Sequence, residues 1–147
     1  IISVVAMILW SRHSDKTNER TWHVALACLT AAVGLAIAAS TGSMFGLIAA
    51  LTIVNVGISC SKPPLWSMPT MFLSGAAAAT GIATINSIGN LGGFAGPAMI
   101  GWVKDQTGSF AGGLYFVAGL LILSTVLTLV LSFTQKNKAN SAELSNS

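Results

Sequence analysis

The chain has 147 residues, of which 53% are apolar and only 7% carry a charge, and its formal net charge is +3. Because a soluble domain carries about 25% charged residues, this composition excludes a soluble globular protein and predicts a chain that lies mostly in lipid. The positive net charge then reflects the orientation of the chain in the bilayer, and we expect no nucleic-acid partner.

Charge-free stretches provide room for membrane-spanning helices. A spanning helix needs about 20 apolar residues, and the stretches without charge are residues 21–61, 63–103 and 106–135. We predict an all-α membrane bundle over residues 1–133. Its spans are placed at about residues 1–10, 22–40, 44–72, 80–103 and 113–133.

The first predicted span, residues 1–10, has only half the length that a bilayer requires. It begins at Ile1, without an initiator Met, and ends at Trp10, before a charged loop over residues 11–21. We therefore expect the chain to be a piece of a longer protein, cut inside a membrane span.

Residues 44–103 can cross the membrane in two ways. Either one long helix continues through Pro63, Pro64 and Pro69 to about residue 72 and a second helix follows, or "SKPP" forms a loop between three shorter spans. The positive-inside rule tests the two threadings, and hydropathy favours the first only slightly. That threading puts five basic residues on one side, one on the other side and Lys62 inside the membrane.

The stretch "SIGNLGGFAGPAMIGW" concentrates glycines in the fourth predicted span. A phosphate-binding glycine loop needs a preceding strand, and none is predicted here. In lipid, small residues four apart allow helices to approach closely, and an interior proline bends a helix. We predict helix packing and bending at five positions: Gly89, Gly92, Gly93, Gly96 and Pro97. Static close packing alone explains the glycines equally well.

The last predicted span, residues 113–133, is a plain apolar run of Leu, Val, Ile and Ala. The tail over residues 134–147 is polar and poor in hydrophobic residues, and we predict that it is disordered.

Lys62 is the only charged residue predicted inside the membrane. A lysine at the bilayer centre costs several kcal/mol by contested estimates, and so it should face a cavity or a partner. Lys62 either binds a substrate carboxylate or has a structural role. In the second case its ammonium group reaches water beside the Pro-Pro pair or pairs with a helix outside this chain. The sequence leaves both interpretations open.

Trp66 and Asn86 are further candidates for a substrate cavity. Trp66 lies well inside the membrane on the long-helix threading, whereas the other tryptophans lie at span ends. Asn86 needs a hydrogen-bond partner in lipid, which a substrate would provide, and Asn90 on the same face is assigned to helix packing. His23, at a span end, is assigned no role.

The sequence supports no catalytic site, metal site or cofactor. The acidic residues all lie outside the predicted spans, and no cluster of His and Cys has metal-ligand spacing. An intramembrane carboxylate for ion coupling is also missing from these residues.

Three stretches resemble the major facilitator superfamily. "GNLGGFAGPAMIGW" resembles its Gly-Pro signature on the helix facing the domain interface, and "SRHSDKTNER" resembles its short cytoplasmic loop motif, with Ser11 and Asn18 in place of the two glycines. The block "SKPPLWSMPTMFLSGAAAATGIATINSIGNLGGFAGP" is similar to the anion:cation symporter branch, the carriers of tartrate, phthalate and hexonates.

This resemblance implies the C-terminal part of a twelve-helix carrier, from the end of helix 8 through helix 12, in a bacterial inner membrane. It implies alternating access and transport of small organic anions, a cytoplasmic loop 11–21 and tail, and a site completed by a missing N-terminal half. Lys62, Trp66 and Asn86 are the expected substrate-binding residues, the last two by matching the branch. A cytoplasmic gating network of Asp15, Lys16 and Arg20 is implied, although the sequence alone favours a solvated loop whose charges follow the positive-inside rule.

Two alternatives to a carrier remain at this point. The chain could be a small, non-transporting membrane protein that packs through its glycine-rich helix, or an inactive truncated product.

Overall fold

The computed structural model describes residues 1–145, without the side chains of Phe72 and of residues 135–145. These residues form five α-helices and no strand, as the sequence predicts for the fold class. The helices, in chain order, are α1 (Ile2–Thr17), α2 (Arg20–Ser40), α3 (Met44–Phe72), α4 (Gly75–Thr107) and α5 (Ala111–Ser145).

The turn between α1 and α2 is shorter than the loop expected over residues 11–21. Helix α1 continues to Thr17, so that only Asn18 and Glu19 separate the two helices. Asn18 adopts a left-handed conformation with φ 55°. Asparagine tolerates this conformation better than most residues do, and it therefore ends α1 where the resembling loop motif has a glycine.

Helix α3 follows the first of the two threadings, since it runs unbroken from Met44 to Phe72 through three internal prolines. Ser43 caps its start, because the Ser43 Oγ accepts a hydrogen bond of 3.0 Å from the Gly46 N–H. A proline has no N–H to donate to the carbonyl four residues earlier. The carbonyls of Ser59, Cys60 and Leu65 therefore lack their usual intrahelical donor.

Helix α2 forms the centre of the bundle and packs most extensively against α3 and α5. Ala32 and Leu35 of α2, Val54 of α3 and Ala118 of α5 make up a buried apolar cluster. Small residues allow close approach of helices in lipid. Accordingly, a Cβ added to Gly34 would come within 3.0 Å of the Val54 backbone nitrogen.

Helix α4 lies at the edge of the bundle, against α5 and, less extensively, α3, and none of its residues is buried. A Cβ added to Gly89, Gly92, Gly93 or Gly96 would meet no atom within 4 Å. The helix also continues through Pro97. Within the described residues, these glycines therefore pack against nothing.

Three of the described helices are long and apolar enough to cross a membrane: Arg20–Ser40, Met44–Met71 and Ala111–Thr134. Helix α4 has 33 residues and is long enough, at 1.5 Å of rise per residue, but its glycines and asparagines lower its hydropathy. Helix α5 continues to Ser145, because neither Gly nor Pro interrupts the tail. The sequence instead predicts disorder from residue 134 onward. Residues 146 and 147 lie outside the described residues.

Candidate functional site

Polar side chains form a stripe along one face of α3. Asn55, Ser59 and Lys62 follow one another at intervals of four and three residues, which places them on the same side of a helix. The Ser59 Oγ donates a hydrogen bond of 3.2 Å to the Asn55 Oδ1. The stripe therefore presents an ammonium group beside a preassembled amide–hydroxyl pair.

The stripe lines an open hollow of about 390 Å³. Its walls combine the polar stripe with apolar side chains of α3, namely Leu51, Val54 and Ile58. The Lys62 side chain is exposed and forms no hydrogen bond or ion pair with any side chain that the structure describes. Its positive charge is thus available to an anion.

Trp66 lies one turn after Lys62, in a neighbouring hollow of about 220 Å³. This second hollow is almost wholly apolar, and α4 and α5 contribute to it through Ile85, Thr128 and Leu131. The Trp66 residue is 38% exposed in this hollow. The structure therefore places Lys62 and Trp66 on one side of α3 but in separate hollows.

Asn86 lies next to Ile85, which lines the Trp66 hollow, but Asn86 itself is exposed and outside that lining. Asn90 is exposed one turn later. Neither amide is hydrogen-bonded to a described side chain or carbonyl. The described residues therefore do not bring Lys62, Trp66 and Asn86 into one closed pocket.

The charged residues of the resembling loop motif lie at the α1–α2 turn. The Arg20 Nη2 is 3.9 Å from the Asp15 Oδ1, and the Arg20 Nη1 donates a hydrogen bond of 3.4 Å to the Ser67 carbonyl of α3. Lys16 lies in the last turn of α1, where a positive charge is favourable. Arg20 thus joins three helices, whereas Lys16 only completes the end of α1.

Two histidines to which the sequence assigns no role meet at this turn. The His13 Nδ1 is 2.8 Å from the His23 Nε2, and His23 is only 7% exposed. Their positions at the ends of two helices that a two-residue turn connects are the only sequence signal that could have indicated this contact.

No group of three or more His, Cys, Asp or Glu side chains that could hold a metal ion occurs among the residues that the structure describes. Helix α3, which is apolar enough to span a membrane, thus presents an exposed cation, hydrogen-bonding groups and an aromatic wall.

Comparison of the sequence with known proteins identifies relatives of this chain. Two proteins of Agrobacterium vitis, both assigned as candidate tartrate transporters, are 75% and 76% identical over 134 and 132 residues, which is 91% and 90% of this chain. A quinolone resistance transporter of Acinetobacter baumannii is 35% identical over 88% of the chain. The chain belongs to the major facilitator superfamily.

The match to these transporters is partial along their length. The chain spans 31%, 29% and 30% of the three relatives. Its all-helical fold and this coverage agree with the prediction of a C-terminal part of the twelve-helix fold. The family assignment and the apolar helices confirm the predicted membrane location.

No protein-family profile matches the chain. No solved structure matches it either. The assignment to the major facilitator superfamily therefore rests on the named relatives and on the helical membrane fold.

Proposed function

We propose that the chain is the C-terminal part, from the end of helix 8 through helix 12, of an ion-coupled secondary carrier that moves small organic anions by alternating access. The carrier would lie in a bacterial inner membrane, with the α1–α2 turn and the C-terminal tail on the cytoplasmic side. The polar face of α3 would form one wall of its substrate cavity.

The unpaired ammonium of Lys62 is the observation that carries this proposal. Lys62 lies within a helix that is apolar enough to span the membrane, and no described side chain neutralises it. A charge at such a depth is costly unless it faces a water-filled cavity or a counter-charge. A carboxylate that enters the cavity would supply the counter-charge.

The groups around Lys62 suit an anion that also carries hydroxyl groups. Ser59 and Asn55 offer hydroxyl and amide groups, and the carbonyl of Ser59 lacks its intrahelical donor because Pro63 has no N–H. Hydroxyl groups of a substrate can donate to such acceptors. The candidate tartrate transporters of Agrobacterium vitis make tartrate, a hydroxylated dicarboxylate, the first substrate to test.

Trp66 and Asn86 would complete this wall in the whole carrier. Trp66 presents an exposed indole face over an apolar hollow that α4 also lines, which suits the carbon chain of a small organic acid. Asn86, exposed beside that hollow, would donate to or accept from a polar group of the same substrate.

The N-terminal half of the carrier would cover the open glycine face of α4. The four glycines Gly89, Gly92, Gly93 and Gly96 leave space that no described atom fills. Close approach through small residues is how helices associate in lipid. Pro97 would let this helix bend when the two halves rock against each other.

Asp15, Lys16 and Arg20 would act as a cytoplasmic gating network. The Asp15–Arg20 contact and the hydrogen bond from Arg20 to the Ser67 carbonyl connect the α1–α2 turn to α3. A contact that forms in only one of the two access states would bias the equilibrium between them.

The proposal is tested by uptake of labelled tartrate into cells that express the complete carrier. We expect saturable uptake by the natural protein, and a loss of about ten- to hundredfold in Lys62→Ala, because a hydrogen bond to a charged group contributes about 1.5–3 kcal/mol. Trp66→Ala should also lower uptake. The matched control is Lys104→Ala, since Lys104 lies over the Phe110 ring, 4.4 Å from its centroid, and away from the α3 stripe.

Normal uptake by Lys62→Ala and Trp66→Ala would show that both residues are structural. A complete protein that reaches the membrane but takes up no organic acid would instead support a non-transporting membrane protein that packs through the open glycine face of α4, the one alternative that a structural observation favours.

A further inference from the structure

Two histidine side chains form a direct contact across the α1–α2 turn. The His13 Nδ1 lies 2.8 Å from the His23 Nε2, and the ring centroids are 5.1 Å apart. His23 is buried in the first turn of α2, whereas His13 is exposed near the end of α1. The pair thus joins a buried imidazole to one that reaches solvent.

The hydrogen-bond partners fix which nitrogens carry protons in the neutral pair. The His23 Nδ1 also contacts the backbone carbonyl of Glu19, and because a carbonyl oxygen only accepts, the His23 Nδ1 is the donor. The His23 Nε2 of the neutral ring is then an acceptor, and the His13 Nδ1 donates to it. The His13 Nε2 is left as the nitrogen without a proton.

This arrangement accepts one proton easily and resists a second. A proton added at the His13 Nε2 leaves the His13–His23 hydrogen bond intact and makes it charge-assisted, which strengthens it. A second proton would have to bind at the His23 Nε2. Two N–H groups would then face each other across 2.8 Å between two cationic rings, and the bond would break.

The pair lies among several charged groups at the turn. Arg12, Asp15 and Lys16 are its neighbours on α1, Glu19 immediately precedes α2, and Arg20 begins α2. Asp15 is engaged with Arg20 at 3.9 Å. Helix α2 also carries Cys28. The helices packed on α1 and α2 add Lys62 and Cys60 of α3 and, within residues 111–134 of α5, Tyr115.

The histidine pair is a large part of what ties α1 to α2. Helix α1 makes most of its contacts with α3 and few with α2. The Trp10 Nε1 donates a hydrogen bond of 3.2 Å to the His23 carbonyl, and the two rings meet edge to face at 5.0 Å. A change at His23 therefore acts directly on the α1–α2 junction.

We propose that His13 and His23 form a one-proton binding site that holds α1 against α2 and releases it when a second proton binds. The site is separate from Lys62 and does not depend on the proposed substrate.

Nuclear magnetic resonance of the complete carrier, labelled with ¹⁵N-histidine and held in lipid, tests this site. The signals of the two residues are assigned by their loss in His13→Gln and His23→Gln. We expect His23 to carry its proton on Nδ1 and its Nε2 to show a scalar coupling to the His13 Nδ1. The first added proton should bind at the His13 Nε2, with that coupling retained. Independent titration of the two rings, without that coupling, would overturn the proposal.

Thermal unfolding of the same protein measures the effect on the junction. We expect the transition temperature of the natural protein to fall when acidification breaks the His13–His23 hydrogen bond, and this change to be absent from either single variant. In the double variant His13→Gln/His23→Gln, the decrease in transition temperature should be clearly smaller than the sum of the decreases in the two single variants. Additive losses would contradict a shared site. If a variant fails to fold, the ¹⁵N titration of the natural protein still decides.

Discussion

Gly57 of α3 lies directly against Ala31 of α2, with no room for a side chain between them. A Cβ added to Gly57 would come within 2.7 Å of the Ala31 backbone nitrogen and within 2.7 Å of the Ala27 carbonyl oxygen. Since both neighbours are backbone atoms of a helix, they cannot move aside as a flexible side chain can. This contact therefore fixes the distance between the two most extensively packed helices.

Gly57→Val should destabilise the complete carrier. The added side chain must push α2 and α3 apart, and overpacking of this kind costs about 1–3 kcal/mol. Thermal unfolding of the purified protein measures the loss. Gly119→Val is the matched control, because a Cβ at Gly119 meets no atom within 4 Å. Equal stability of the two variants would show that the α2–α3 contact is looser than described here.

Arg20 should matter more for stability than its ion-pair partner Asp15. The Asp15 side chain is 66% exposed and its contact with Arg20 is 3.9 Å long, so that Asp15→Asn should change stability by less than about 1 kcal/mol. Arg20→Gln should cost about 1–3 kcal/mol, because it also removes the charged donor to the Ser67 carbonyl. Chemical unfolding of both variants compares them, and a larger loss in Asp15→Asn would refute this ranking.

Gly93→Leu should impair transport by the complete carrier while leaving this part of the fold intact. No described atom lies within 4 Å of a Cβ at Gly93, so the five helices can accept the side chain. The proposed N-terminal half would meet it. Initial uptake rates and the amount of protein in the membrane are measured together. Gly119→Leu, on the open surface of α5, is the control, and unchanged uptake in Gly93→Leu would argue against a close partner at this face.

The apolar helices could be predicted from the sequence, because charge-free runs are local patterns. The family was indicated by the resemblance of three stretches to the major facilitator superfamily. Helix α3 begins at Met44, directly after Ser43, and ends at Phe72, where the apolar run ends. The placement of the predicted spans in the bilayer stays a prediction. The family and the membrane location are confirmed. The roles of Lys62, Trp66 and Asn86 stay predictions.

Contacts between helices could not be predicted in the same way. The His13–His23 pair and the Gly57–Ala31 contact depend on how helices rotate about their axes and how closely they approach, which hydropathy does not record. Similarly, residues 11–17 were expected in a loop because they are charged. They are helical because nothing in them breaks a helix before Asn18 adopts its left-handed conformation.

Binding of tartrate to the purified complete carrier tests the proposed role of Lys62 most directly, because it separates recognition from the proposed transport cycle. Calorimetry should show saturable binding by the natural protein and about ten- to hundredfold weaker binding by Lys62→Ala. Lys62→Arg should recover part of the affinity, and Lys104→Ala should bind normally. Equal affinity of the natural protein and Lys62→Ala would contradict the account, because the charge on α3 would then have no role in binding the anion.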